Sequence, residues 1–420
     1  MLRHSSLFLF LALIVTSCEQ VSSELQPESH PWQVLNPAAL DSILQDHIDS
    51  GNFAMTYARV ESAAGELLYE GSSHNEQLMG DRRLAADNPV RIWSMSKAVT
   101  AVLTMDLIED GMLALDDDVL KFIPEFDRLQ VAVFPDATDS TQGTCPFELE
   151  AVTETMTIRQ LLNHQAGFYY GETGYDCIDK PFKGIGMSTP QSTDTILAKL
   201  SRIPLMFQPG TDEQYGFNTS VLGFVLERAS GRSLDQLVQE RLREPLGLDQ
   251  FGYNIPAGAT QYPFFVWEDS ALKRGGAEDA NLMGQVPGYD TANCVHLGGE
   301  GMMADALSYA RFLRMLVNGG EGVLEPSSID TLVAPQTQLD NPWGHMGFTI
   351  WVSGDSMRQM KEGDAGLWIG GGYEYTQYWM DPKRDIVGVL MTQMRNSPSG
   401  HTLVTDLRGA IYEPWLAEDR

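Results

Sequence analysis

Residues 91–111 read "RIWSMSKAVTAVLTMDLIEDG". As a helix this stretch is apolar on nearly every face, which predicts an interior helix. Gly111 supplies its stop. The first turn nevertheless carries Lys97, where the helix dipole disfavours a cation, three residues after Ser94. Side chains at i and i+3 share a face, so the lysine nitrogen and the serine oxygen can meet. An ordinary N-cap serine would be followed three residues later by an acid or amide, and here a lysine takes that place. Chemistry gives the arrangement a purpose. A serine hydroxyl is a poor nucleophile until its proton is removed. A lysine can take that proton if its pKa falls, and both burial and a helix N-terminus push it down. The same helix end offers the Ser94 backbone N–H as half of an oxyanion hole. Ser-x-x-Lys recurs at Ser270–Lys273. That copy opens no long helix and reads as coincidence.

The chain has 420 residues, 43% of them hydrophobic, enough for one large core or two joined lobes. Its 57 acidic residues against 28 Lys and Arg give a net charge of −29, which excludes nucleic acid as an expected partner. The start, "MLRHSSLFLFLALIVTSCEQ", has a basic head and an apolar run too short to span a bilayer. It ends in Val15-Thr16-Ser17-Cys18, which resembles a bacterial lipobox. The expectation is a signal peptide over 1–17, a lipid on Cys18 and a polar tether over 18–35. An exported envelope lipoprotein facing the periplasm would then touch the membrane only through its anchor. An ordinary cleaved signal is the competing reading. Cys145, Cys177 and Cys294 permit one disulfide in an oxidising compartment. Cys145 and Cys177 flank one connecting region and form the favoured pair, with the other pairings open. The eight histidines are scattered, without H-E-x-x-H or C-x-x-C, and no metal site is expected.

Residues 36–51 read as a helix with a glycine stop. "FAMTYARVESAAGELLYEGSS" alternates around Ala64-Gly65 as a hairpin does. Helical patterns fill the middle: "TIRQLLNHQAGF", "STDTILAKLSRI", "TSVLGFVLERASG", "SLDQLVQERLREPLG" and "DALSYARFLRMLVNGG". The tail returns to strands in "HMGFTIWV", "EYTQYWMDP" and "DIVGVLMTQM", then closes with a helix. Residues 135–155 and 254–293 read as long loops. Strands at both ends with helices between predict an α/β (α+β) chain. One antiparallel sheet would be built from both termini (about 36–92 and 340–420), with an inserted all-helical lobe (about 93–339).

The stretch from Arg91 to Phe126 resembles the active-site helix and following turn of the serine β-lactamase-like superfamily. That group includes class C β-lactamases, D-Ala-D-Ala carboxypeptidases and esterases of β-lactamase fold. "TIRQLLNHQAGF", "FQPGTDEQYGFNTSVLG", "EPLGLDQFGY", "GGEGMMADALSYARFLRMLVNGG" and "YWMDPKRDIVGVLMTQM" match in the expected order. The resemblance spans about Leu40 to Trp415 and implies a β-lactamase/transpeptidase-like fold over 36–420. It implies Ser94 as nucleophile, Lys97 beside it and no cofactor.

The family's Tyr-x-Asn motif falls on Tyr215-Gly216-Phe217-Asn218, with Tyr215 as the implied base and the asparagine one residue late. Asn218 is expected either to bind substrate or to cap the helix that begins there. The Lys-Thr-Gly motif falls on Gly370-Gly371-Gly372, without the lysine. The resemblance implies Gly371 and Gly372 at the substrate and Tyr373 as the second backbone oxyanion donor, while Trp368 is expected either to form an apolar wall or to sit in the core. Losing the lysine that helps hold a substrate carboxylate points to a small neutral ester or amide, cleaved through an acyl-enzyme on Ser94. The alternatives are a β-lactamase or D-amino-acid peptidase, or an inactive envelope-binding lipoprotein. No G-x-S-x-G occurs, which leaves little room for a Ser-His-Asp hydrolase.

Overall fold

The computed structural model describes residues 35–134, 147–187, 191–254, 260–276, 295–336 and 342–418. The first described element is helix α1 (Pro37–Asp49). Asn36 caps it by accepting from the Ala39 N–H, and proline opens its first turn. Strands β1 (Met55–Ser62) and β2 (Leu67–His74) follow as the expected hairpin. Gly65 turns it with φ +91°, a conformation that costs residues with a Cβ.

The tail supplies five more strands: β3 (Gly344–Met346), β4 (Trp351–Ser353), β5 (Trp368–Gly371), β6 (Gln377–Asp381) and β7 (Ile386–Met391). Together they make one antiparallel seven-stranded sheet in the order β3-β4-β5-β6-β7-β1-β2. The two ends of the chain therefore meet where β1 pairs with β7, Tyr57 opposite Met391 and Ser62 opposite Ile386. Every residue of β7 is buried, as a strand covered on both faces requires. Gly388 in its middle leaves room for the indole of its cross-strand partner Trp379, which a Cβ would meet at 2.1 Å. Helix α5 (Ala306–Val317) crosses β6, β7 and β1, while α1 lies along β1 and β2 and packs on the last helix, α6 (Thr402–Glu418).

The opening stretch becomes a short strand (Val90–Arg91), a single 3₁₀ turn (Trp93–Met95) and helix α2 (Ser96–Glu109). Its residues from Ser96 to Leu107 are all buried. A helix without a polar face has no alternative to the interior. Helices α3 (Ile158–Leu162) and α4 (Asn218–Ser230) pack together, and α4 lies against α2.

Three expectations need correction. "HMGFTIWV" is two strands, because the Gly347 N–H donates to the Ile350 carbonyl and Thr349 turns at φ +63°. The stretch taken as a loop from Asn254 holds a hairpin, Phe265–Glu268 with Ala271–Arg274. Ser270 sits in its turn, and Lys273 is exposed, bonded to Glu268 and Asp269. The inserted region is not purely helical either. It also carries a two-stranded sheet, Gln130–Val133 with Glu148–Ala151, whose second strand lies inside the expected loop 135–155. Cys177 is disulfide-bonded. Its candidate partners Cys145 and Cys294, like Cys18 and the expected leader, lie outside the described residues.

Candidate active site

Ser94 occupies the 3₁₀ turn that leads into α2. Trp93, just before it, holds φ +48°. A bulky residue in the left-handed region is strained, and such strain persists only where packing enforces it. Here the indole is buried edge-on against the Tyr373 ring at 5.5 Å, with the Arg395 guanidinium 5.3 Å away. Arg395 is itself fixed by a buried ion pair to Glu374 at 2.7 Å.

Lys97, the second residue of α2, is 2% exposed. Its ammonium donates to Ser94 Oγ at 3.1 Å, to Tyr170 Oη at 2.8 Å and to the Gly299 carbonyl at 3.0 Å. Three acceptors saturate the three N–H bonds of a charged lysine. The segment 297–301 reaches the amine because it is built of glycines. A Cβ on Gly299 would lie 3.0 Å from Ser220 Oγ and 3.3 Å from Lys97 Nζ. One on Gly298 would lie 2.7 Å from the Thr219 carbonyl. Thr100 of α2 then donates to the Gly298 carbonyl at 2.7 Å, and this binds the segment between α2 and α4.

Tyr170 and Glu300 are the functional neighbours that reading the sequence missed. Tyr170 donates its hydroxyl to Glu300 Oε1 at 2.5 Å while accepting from Lys97. Ser220 of α4 donates to Glu300 Oε2, and Glu300 lies 3.9 Å from Lys97 Nζ. Burial, reinforced by the Glu300 carboxylate, holds the Tyr170 phenol well above the usual tyrosine range. Tyr170 was reachable only two residues beyond the matched stretch "TIRQLLNHQAGF", with no local pattern to mark it. Glu300 did carry a signal, an acid set inside Gly298-Gly299-Glu300-Gly301.

The structure brings Tyr215 up to Lys97 through its ring. Its ring face, not its hydroxyl, meets the amine, with Nζ 4.7 Å from the ring centroid. That is a cation–π contact. The residue is 51% exposed and its ring lies tilted against His164, centroids 4.8 Å apart. His164 is neutral, because burial and then the nearby Lys97 charge lower its pKa to about 3.

Asn218 neither caps nor lines the pocket. It is the first residue of α4, fully buried, and its amide donates to the Phe168 and Gln214 carbonyls at 3.0 and 3.2 Å. That ties α4 to the loop carrying Tyr170. A buried amide with backbone acceptors is a brace, not a ligand.

The pocket over Ser94 encloses about 390 Å³. Trp93, Trp351, Ile369 and Tyr373 give it apolar walls, Gly370 to Gly372 form one side, and Gln377 and His401 lie at its edge. Trp368 is absent from the lining, so the apolar wall is Trp351 and Ile369 instead. Successive strand side chains point to opposite faces, which separates Ile369, on the pocket side, from Trp368. The glycine run has a steric cause at each position. A Cβ at Gly370 would meet Tyr378, one at Gly371 the Gln377 amide, and one at Gly372 the Ile92 carbonyl at 2.3 Å. Gly372 thus lets the end of β5 lie against the Ser94 turn. Tyr373 follows it, and among the described residues its backbone N–H, like that of Ser94, has no protein acceptor. Two free N–H groups flanking a nucleophile are what an oxyanion hole requires.

Among the described residues, no lysine or arginine lines the pocket. His401 is kept neutral, since burial and then Arg408 lower its pKa. Among the described residues, no group of three or more His, Cys, Asp or Glu side chains gathers as a metal site would require.

A seven-stranded antiparallel sheet made from both ends of the chain, with Ser-x-x-Lys opening a buried helix beside it, defines the β-lactamase/transpeptidase-like class. The Beta-lactamase family model matches residues 58–412, and the chain belongs to that family. Mycobacterium tuberculosis "Uncharacterized protein MT1414" is 30% identical over 275 residues, 63% of this chain; the chain spans 64% of that relative's length. Lovastatin esterase of Penicillium rubens is 24% identical over 305 residues, covering 70% of this chain and 71% of its own. Among solved structures, "EstCE1, a hydrolase with promiscuous acyltransferase activity" superposes with a TM-score of 0.74 at 21% identity. That match covers 89% of this chain and 98% of the other, and it bears on the fold alone.

Proposed function

We propose that the chain is a serine hydrolase that cleaves a carboxylic ester or amide with a neutral, apolar acyl group. One observation carries the reading: the Ser94 hydroxyl lies 3.1 Å from a buried lysine, at the floor of a pocket whose described walls are mainly apolar. Ser94 attacks the carbonyl, and its proton leaves toward Lys97. The backbone N–H groups of Ser94 and Tyr373 receive the oxyanion. Water then releases the acid from the acyl-enzyme, and the chemistry calls for no cofactor. Among the described lining residues a substrate carboxylate would meet Glu300 and no lysine or arginine. That favours esters over β-lactams and D-amino-acid peptides, and the esterases among the relatives fit the same choice. Tyr215 covers the amine with its ring and lines the pocket. The lipobox-like sequence at Cys18 supports a lipid anchor outside the catalytic domain, which Cys18→Ser would test by detergent partitioning.

The decisive comparison is a series of p-nitrophenyl esters beside nitrocefin, on wild type and Ser94→Ala. Ester turnover abolished by the substitution is expected. Nitrocefin turnover that exceeds ester turnover, or ester turnover that survives in Ser94→Ala, overturns the reading.

A further inference from the structure

We propose that Glu300 is the terminal proton acceptor of acylation: the Ser94 proton is passed through Lys97 and Tyr170 and comes to rest on the Glu300 carboxylate. The inference rests on the serine-hydrolase reading and adds a positioning residue that acts through Tyr170.

The direction of each hydrogen bond fixes the argument. Lys97 lies within hydrogen-bond distance of Ser94 Oγ, Tyr170 Oη and the Gly299 carbonyl, and as an ammonium it donates to all three. An ammonium has no lone pair with which to take the serine proton unless it gives one up in the same event. The acceptor for that proton is Tyr170 Oη, 2.8 Å away. Tyr170 is a phenol, because its one hydrogen is directed at a carboxylate oxygen, and carboxylate oxygens only accept. Burial and the Glu300 charge both disfavour a phenolate, so Tyr170 conducts the proton and does not store it. Glu300 is where the chain of bonds ends. Its second oxygen accepts from Ser220, whose own oxygen accepts from the Gly299 N–H at 2.9 Å. An ionised carboxylate this deeply buried costs several kcal/mol unless partners surround it. This one has two hydroxyl donors and the Lys97 charge.

The step balances. As Ser94 Oγ bonds to the carbonyl carbon, the carbonyl π pair moves onto oxygen and the Ser94 O–H bond breaks. Lys97 gives a proton to Tyr170, turns about its last bond and takes the proton from Ser94. Tyr170 gives its original proton to Glu300. Lys97 ends as an ammonium, Tyr170 as a phenol and Glu300 as a carboxylic acid, facing one oxyanion. On collapse the relay runs backward: Glu300 returns a proton through Tyr170, Lys97 protonates the leaving alkoxide, and the carbon–oxygen bond to it breaks.

The test is stopped-flow acylation by p-nitrophenyl butyrate for wild type, Glu300→Gln and Glu300→Asp. Gln keeps the size and an acceptor oxygen but is a far poorer proton acceptor. The acylation rate should fall ~100-fold or more in Glu300→Gln, the range of lost general-base catalysis, with KM unchanged within about threefold; Glu300→Asp should regain part of the loss. Glu300→Gln that acylates within threefold of wild type overturns the proposal. A proton inventory in mixed light and heavy water needs no variant to fold. Several protons in flight give a bowed plot for wild-type acylation, and a straight one overturns the relay. Should the hydrolase reading itself be wrong, Ser94→Ala retains turnover, an outcome separate from both.

Discussion

One methyl group added at Gly372 should cost most of the activity while leaving the fold intact. The Gly372 backbone does not need a left-handed φ, so the effect is purely one of space. An added Cβ would stand 2.3 Å from the Ile92 carbonyl oxygen and 2.3 Å from Thr376 Oγ1. Cβ contacts shorter than 3.0 Å are essentially unseen, so both must open by about 0.7 Å. Thr376 can rotate, but Ile92 is backbone two residues from the nucleophile. The end of β5 must therefore move away from Ser94 and carry the Tyr373 N–H with it. Loss of one oxyanion donor lowers kcat by ~10²–10³, about 3–4 kcal/mol of transition-state stabilisation. Strain from the extra methyl should lower stability by ~1–3 kcal/mol. Gly371→Ala is the internal control. Its Cβ would meet the end of the Gln377 side chain at 2.4 Å, and that amide can swing aside. The assay is steady-state ester hydrolysis with melting curves for both variants. If Gly372→Ala keeps wild-type kcat, or if both alanines act alike, the assignment of the β5 end to the oxyanion hole is wrong.

Other perturbations probe separate links. Tyr170→Phe should lower kcat more than Tyr215→Phe, because only Tyr170 offers its hydroxyl to Lys97, whereas phenylalanine preserves the ring contact of Tyr215; equal losses in steady-state assays would refute this. Lys97→Met should abolish turnover and also destabilise by ~3–5 kcal/mol, since it strands the Glu300 charge. Adding Glu300→Gln to Lys97→Met should restore part of that stability in chemical denaturation. Trp351→Ala should widen the pocket and raise kcat/KM for long acyl chains relative to acetyl. Asp305, which caps α5 by accepting from the Ser308 N–H, has its pKa raised by burial to about 6 from 3.8. The folded chain then binds that proton more tightly than the unfolded chain, so stability falls as pH rises between those values and is level above them. Asparagine caps equally well without charge. Asp305→Asn should raise Tm relative to wild type at pH 8, and the advantage should shrink toward pH 5.

What the sequence revealed divides along the range of the interactions. Helix α2 was legible because an unbroken apolar run allows only one environment, and Ser94 meets Lys97 because three residues along a helical turn fix their distance. The β1–β2 hairpin followed from alternation and Gly65. Tyr170 and Glu300 reach Lys97 from separate loops, aligned by the packing of α4 on α2 and by the Asn218 brace. No short-range pattern encodes such an alignment. Trp368 left two readings open, pocket wall or core, for a different reason. Gly370, Gly371 and Gly372 carry no side chains from which strand parity can be read, so the wall fell one residue away, on Ile369. Asn218 failed as a cap because the residue itself begins α4, with its amide directed inward at the Phe168 carbonyl.

Mass mapping of the trapped acyl-enzyme tests the central claim most directly. Wild type quenched in acid during turnover of a slow ester should carry one acyl group on the peptide containing Ser94, and Lys97→Met should carry none. An acyl group on any other residue, or turnover with no adduct under conditions where deacylation limits the rate, would contradict the account.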